Sequence, residues 1–273
     1  MEEGNLLHPK TILAVEPHPD DTAIMAGGTI AKMSSEGNRV IFVTVTDGER
    51  GTMNRSIKSA DDLRKITRKE ATKASEILGV EQQIFLGYLN HDVMFEKELE
   101  LKNRIMGLIR KFKPHIVMTY DPYGKYEPNP DHRTVSFATY DAATFSHYHL
   151  ECPEQIEKEG LDTHIVDEVW FYNSPEPNAS FDVTDYLPKK VDAMSAYSSQ
   201  LESMIEEVRQ RLRSAGYRAK FLESGSKKEK ILNLWIYPSL TGGRLIEKFR
   251  IIRPFITERV GYLLSSNLVE PAL

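Results

Sequence analysis

Cysteine is nearly missing from this 273-residue sequence: Cys152 stands alone, so neither an internal disulfide nor a multi-thiolate metal site can form. A reducing compartment suits such a chain. Excess charge of either sign is also missing. With 35 Lys plus Arg against 40 Asp plus Glu the net charge is −5, which excludes a protein held to a polyanion mainly by bulk charge, and no nucleic-acid partner is expected. No apolar run approaches the roughly 18 residues needed to span a membrane, and the polar start MEEGNLLHPK lacks the basic and apolar regions of a signal peptide. The expectation is a cytoplasmic protein with no membrane span. Fixed-period repeats, low-complexity tracts and long linkers are absent too.

What is present is the composition of an ordinary globular protein, with 40% apolar and 27% charged residues. The pattern reads as a single α/β unit over 1–273, in which 1–175 forms a Rossmann-like catalytic core and 176–273 an extension packed on it. Short β-branched apolar runs at about Thr11 to Val15, Val40 to Thr46, Gln83 to Gly87, His115 to Tyr120 and Asp167 to Tyr172 alternate with helical stretches. Those stretches are Asp21 to Ser35, Asp61 to Leu78, Glu96 to Phe112 and about Asp131 to His147. This alternation predicts a parallel or mostly parallel twisted sheet with helices on both faces. Beyond residue 175 the reading is a short strand leading into a helix start over Asp182 to Leu187, then one long helix over Pro188 to Ser214. A helical and irregular C-terminal region follows, with apolar clusters at Ile231 to Tyr237 and Leu245 to Ile256.

The first strand runs into Glu16-Pro17-His18-Pro19-Asp20-Asp21, and loops at the carboxyl ends of strands are where open parallel sheets place ligands. Prolines on either side of His18 restrict that backbone. A dinucleotide-binding loop would show G-x-G-x-x-G here, whereas Gly27-Gly28 lies inside the following helix. One carboxylate would explain a helix cap; an imidazole with two carboxylates is more than a cap needs. A second cluster, Asn129-Pro130-Asp131-His132-Arg133, follows the fourth strand. In a doubly wound sheet that strand lies beside the first, so His132 can reach the His18 loop. Two histidines and one of the two aspartates make a donor set for Zn²⁺, or Fe²⁺, with positions left open for water and substrate.

With these residues, Thr46-Asp47-Gly48-Glu49-Arg50-Gly51, Glu70-Ala71 and Leu78-Gly79-Val80, the first half of the chain resembles the LmbE-like and PIG-L-type deacetylases. Within that family it is most similar to the diacetylchitobiose deacetylase-like branch, whose members are often homo-oligomers. The resemblance implies zinc-dependent removal of an N-acetyl group from an N-acetylglucosamine-type sugar. By motif matching it implies His18, Asp21 and His132 as zinc ligands and Asp20 as the general base. The family element is usually His-Pro-Asp-His, and here Asn129 replaces the first histidine; an amide can donate to an oxyanion but supplies no proton. The acid is then Asp20 after it has taken the water proton, or His147 or His149 on the following helix. For Asp131, orienting a neighbouring histidine and capping the helix stand as equal expectations. Substrate contacts are expected from Glu49, Arg50, Asn90, Asp92 and Tyr120. Tyr123 and Tyr126 line the approach, and simple ion pairing stands beside substrate contact for Arg50, Arg68 and Arg133. The competing readings are another metal-dependent hydrolase of phosphoesterase type and a non-catalytic metal- or nucleotide-binding protein. The first would add a Gly-rich loop or basic clamp not evident here, and Asn129 keeps the second open.

Overall fold

A computed structural model of the chain describes residues 9–96, 98–254 and 257–266. The amino-terminal part alternates β1 (Thr11–Glu16), α1 (Asp21–Ser35), β2 (Arg39–Thr46), α2 (Ala60–Leu78), β3 (Gln82–Tyr88), a short α3 (Val93–Glu96), α4 (Glu98–Phe112), β4 (Ile116–Tyr120), α5 (Pro130–Phe145), α6 (Pro153–Glu157) and β5 (Glu168–Tyr172). There follow β6 (Ala179–Asp182), α7 (Leu187–Ala196), α8 (Ser198–Ser214), α9 (Lys220–Ser224), α10 (Lys227–Ile231), β7 (Leu240–Thr241), β8 (Arg244–Ile252) and α11 (Thr257–Ser265). Strand order is 3-2-1-4-5-8-6, with β7 on β8. The first five strands are parallel and β8 adds antiparallel to β5. Because β1 pairs with both β2 and β4, the chain direction switches there, and the loops after β1 and β4 open on one crevice.

Side chains alternate strictly across this sheet, as a strand buried on both faces requires. Ile12 and Ala14 of β1, Val40 and Phe42 of β2 and Trp170 and Tyr172 of β5 meet α1, α2 and α7 on one face. Leu13, Val15, Ile41, Val43, Val169 and Phe171 meet α4 and α5 on the other. The crossover helices begin and end where their sequences say they should. Ser59 Oγ caps α2 by accepting from Asp62 N at 3.1 Å, and Gly79 closes the helix in the left-handed region (φ 80°) that glycine adopts without strain.

The mostly parallel sheet with helices on both faces agrees with the sequence reading, while the C-terminal region departs from it. The expected helix over 188–214 is two helices, broken at Tyr197 (φ −80°, ψ 60°), whose ring turns into the core beneath α1 and α2. The expected strand at Asp182 to Leu187 lies earlier, at Ala179–Asp182, and the apolar cluster from Leu245 is mostly strand β8. Ile256 lies outside the described residues. Glu247 of β8 reaches into the interior, where its carboxylate accepts from Gly28 N (3.0 Å), Thr29 N (2.7 Å) and Lys190 Nζ of α7 (2.6 Å). The C-terminal strand is thereby tied to the helix that starts at Asp21. Among the described residues no helix is long and apolar enough to cross a membrane.

Candidate active site

The loop after β1 and the first turn of α5 bring His18, Asp21 and His132 together. His18 Nδ1 lies 3.1 Å from Asp21 Oδ2 and 3.2 Å from His132 Nε2, and His132 Nε2 lies 3.5 Å from Asp21 Oδ1. Each imidazole turns its other nitrogen to a different carboxylate: His18 Nε2 to Asp131 Oδ2 at 3.2 Å, and His132 Nδ1 to Glu127 Oε1 at 3.1 Å. Tyr120 supports the group from below. Its ring stacks on His132 with centroids 4.1 Å apart, and its hydroxyl donates to Asp21 Oδ1 at 3.1 Å.

The donor set fits a divalent metal. With both outer nitrogens donating to carboxylates, His18 Nδ1 and His132 Nε2 face each other with lone pairs at 3.2 Å, which requires a proton or a cation between them. Tetrahedral bonds of about 2.0–2.1 Å place donor atoms roughly 3.3 Å apart, near the 3.2 Å between the two nitrogens and the 3.1 and 3.5 Å from them to the two Asp21 oxygens. The electrostatics point the same way. Burial opposes charge on His18, yet Asp21 and Asp131 outweigh it and push His18 up to about 10. Burial likewise opposes ionisation of Asp21, and His132 and His18 outweigh it and hold that carboxyl well below the usual range. Asp20 goes the other way, pushed up to about 7 by burial and then by the charge of Asp21. Asp20 does not cap α1 through its side chain, so its carboxyl is not committed to holding the helix.

The other expected residues separate by what they touch. Asn129, not Asp131, caps α5: its Oδ1 accepts from Asp131 N at 2.9 Å, which leaves Nδ2 with no partner among the described residues. Asp131 is fully buried and accepts from His91 N at 2.9 Å as well as facing His18. Glu49 and Asn90 lie buried at the same edge, where Asn90 N donates to Glu49 Oε1 at 2.9 Å while Glu49 Oε2 and Asn90 Oδ1 have no partner among the described residues. Arg50 and Asp92 meet each other in a two-pronged surface pair at 2.9 and 3.0 Å. Arg68 is paired with buried Asp47. Tyr120, expected on the substrate, is buried beneath the histidine and aspartate instead.

His147 and His149 are corrected outright. They follow the far end of α5, about 20 Å from His132 at 1.5 Å rise per residue, so neither reaches the site. Sequence reasoning missed Glu127 and the His91 backbone. The signal for Glu127 was a carboxylate five residues before a candidate ligand histidine; His91, whose φ is 70°, follows the third strand and so could face the crevice, but nothing pointed to its backbone N–H.

A family model described as PIG-L, GlcNAc-PI de-N-acetylase, matches residues 13–143, the span that holds all of these clustered side chains. Over 200 residues the chain is 34% identical to the diacetylchitobiose deacetylase of Thermococcus kodakarensis, with 73% of each chain covered. The chain belongs to the PIG-L family. Among solved structures, the family's N,N'-diacetylchitobiose deacetylase from Pyrococcus horikoshii matches with a TM-score of 0.72 at 30% identity, covering 92% of this chain and 88% of that one. The PIG-L fold itself does not fix one reaction. GalB, a 4-carboxy-2-hydroxymuconate hydratase of Pseudomonas putida, shares the fold at 22% identity with a TM-score of 0.64, covering 91% of this chain and 98% of that one. Function must therefore be argued from the site.

Proposed function

We propose that this PIG-L family chain is a metal-dependent deacetylase that hydrolyses the N-acetyl group of an N-acetylglucosamine-type sugar, with Zn²⁺ as the metal. The observation that carries this reading is the convergence of His18 Nδ1, the Asp21 carboxylate and His132 Nε2, with all three donor atoms within 4.8 Å of one another. Two nitrogens and one oxygen are the donor set of a catalytic zinc site that keeps a position open. Bound there, the ion would lower the pKa of a water from about 15.7 to about 7 and polarise the acetyl carbonyl. His18, Asp21 and His132 would hold the ion, and Asp131 and Glu127 each face the outer nitrogen of one imidazole and so would keep the inner one turned toward it.

Asp20 takes the proton of the attacking water as the oxygen bonds to the acetyl carbon. Asn129 Nδ2 donates to the oxyanion that develops on the carbonyl oxygen, and its amide plane is already fixed by the cap its Oδ1 makes. When the carbon–nitrogen bond breaks, Asp20 returns the proton to the departing nitrogen, and acetate and a primary amine leave. Glu49 and Asn90, each with a buried oxygen lacking a donor, accept hydroxyl protons of the sugar. The part over 1–175 supplies the chemistry, and the extension over 176–273 braces α1 through Glu247. Purified protein given N-acetylglucosamine or N,N'-diacetylchitobiose should release acetate and primary amine in equal amounts. No amine from either sugar would remove the reading.

A further inference from the structure

The loop between β4 and α5 is built at an energetic disadvantage. Tyr126 sits at φ 62°, in the left-handed region that costs a non-glycine residue of order 1–3 kcal/mol. The residue is 87% exposed, so packing does not repay that strain. The loop tightens in two steps on the way there, Gly124 N donating to Asp121 O at 3.1 Å and Glu127 N to Gly124 O at 3.3 Å. What the turn achieves is the placement of the next residue. Glu127 Oε1 receives both His132 Nδ1 (3.1 Å) and Asn129 N (3.0 Å), and Glu127 O receives Arg133 Nη1 at 2.6 Å.

We infer that Glu127 is the positioning residue for His132, a carboxylate that fixes the tautomer and strengthens the basicity of that imidazole toward a metal. The inference rests on the reading of His132 as a ligand. A carboxylate can only accept, so the His132 proton must sit on Nδ1 and the lone pair on Nε2, the atom that faces His18 Nδ1 and Asp21 Oδ1. His132 is then held on its face by Tyr120 and on its edge by Glu127. His18 has an equivalent arrangement with Asp131, so each imidazole of the pair carries its own carboxylate. The two supports differ in setting: Asp131 is sealed in the interior, whereas the Glu127 side chain is 16% exposed. Removing such a support costs roughly 10–100-fold in metal affinity.

The test is the Zn²⁺ dissociation constant, measured by competition with a chromophoric chelator on metal-stripped wild type, Glu127→Gln and Glu127→Ala. Glu127→Ala should bind roughly 10–100-fold more weakly. Glu127→Gln, which keeps an acceptor but loses the charge, should fall between. In ¹⁵N-labelled Zn²⁺-loaded protein the His132 Nδ1–H resonance should be visible in wild type and lost in Glu127→Ala. An unchanged dissociation constant in both variants, even with a lowered thermal midpoint, would make Glu127 a brace of the loop only and overturn the inference. A His132→Ala control that binds Zn²⁺ as tightly as wild type would overturn it at the level beneath, by removing His132 from the metal site.

Discussion

Asn129 combines two jobs that a single substitution can separate. Its Oδ1 accepts from Asp131 N at 2.9 Å and caps α5, and its Nδ2 has no partner among the described residues. Loss of an N-cap costs about 0.5–2 kcal/mol, and in a chain of this size each kcal/mol moves the thermal midpoint by about 2–4 °C. Loss of one oxyanion donor costs about 10²–10³ in turnover. Serine ranks with asparagine as a cap but has no amide N–H and is shorter. Asn129→Ser should therefore melt with the wild type and lose about 10²–10³ of its turnover. Asn129→Ala should lose that turnover and also melt several degrees lower. The assays are calorimetry and amine release under saturating sugar. If Asn129→Ser keeps wild-type turnover, Asn129 is a cap and nothing more, and the oxyanion is stabilised by another group.

Asp20→Asn should keep its metal and lose about 10²–10⁴ in turnover, measured by metal analysis and amine release; a loss under about tenfold would move the base elsewhere. Because burial and Asp21 hold Asp20 at about 7, and a base works only unprotonated, kcat/KM should fall tenfold per pH unit on the acid side. That limb should lie at or below pH 7, since a neighbouring cation favours the ionised form, and a flat profile across it would contradict the assignment. Lys190→Met leaves Glu247 buried without its cation and should cost about 3–5 kcal/mol, read from urea midpoints. Replacing Glu247 as well should not restore stability in full, because Gly28 N and Thr29 N lose their acceptor. At Gly28 a Cβ would lie 2.5 Å from Val183 Cγ2, so Gly28→Ala should cost about 1–3 kcal/mol.

The core was legible because strands buried on both faces write themselves as continuous apolar runs, as Thr11–Glu16 and Arg39–Thr46 do, and their alternation with amphipathic helices predicts the parallel order. Placing His132 beside His18 needed only the switch point between β1 and β4. The C-terminal region was not legible for a different reason. β8 earns its place by pairing with β5, as Val169 does with Ile252, and by the reach of Glu247 to Gly28 in α1, contacts distant in sequence that no local pattern records. The break at Tyr197 is similarly tertiary, since the apolar spacing runs through it unchanged. Within the site, sequence alone left Asp131 balanced between orienting a histidine and capping α5; it faces His18, and the cap falls to Asn129 because the side chain that reaches Asp131 N is the one two residues earlier. Tyr120 looked like a substrate contact because strand-end aromatics often are; its position on the inward side of β4 puts it under His132.

The central claim is tested most directly by titrating Zn²⁺ into metal-stripped protein while following amine release from N,N'-diacetylchitobiose. Activity should start near zero, rise in proportion to added metal and break at one equivalent per chain, as one cluster among the described residues, that of His18, Asp21 and His132, requires. Full activity in the metal-stripped protein, with no response to added Zn²⁺, would contradict it.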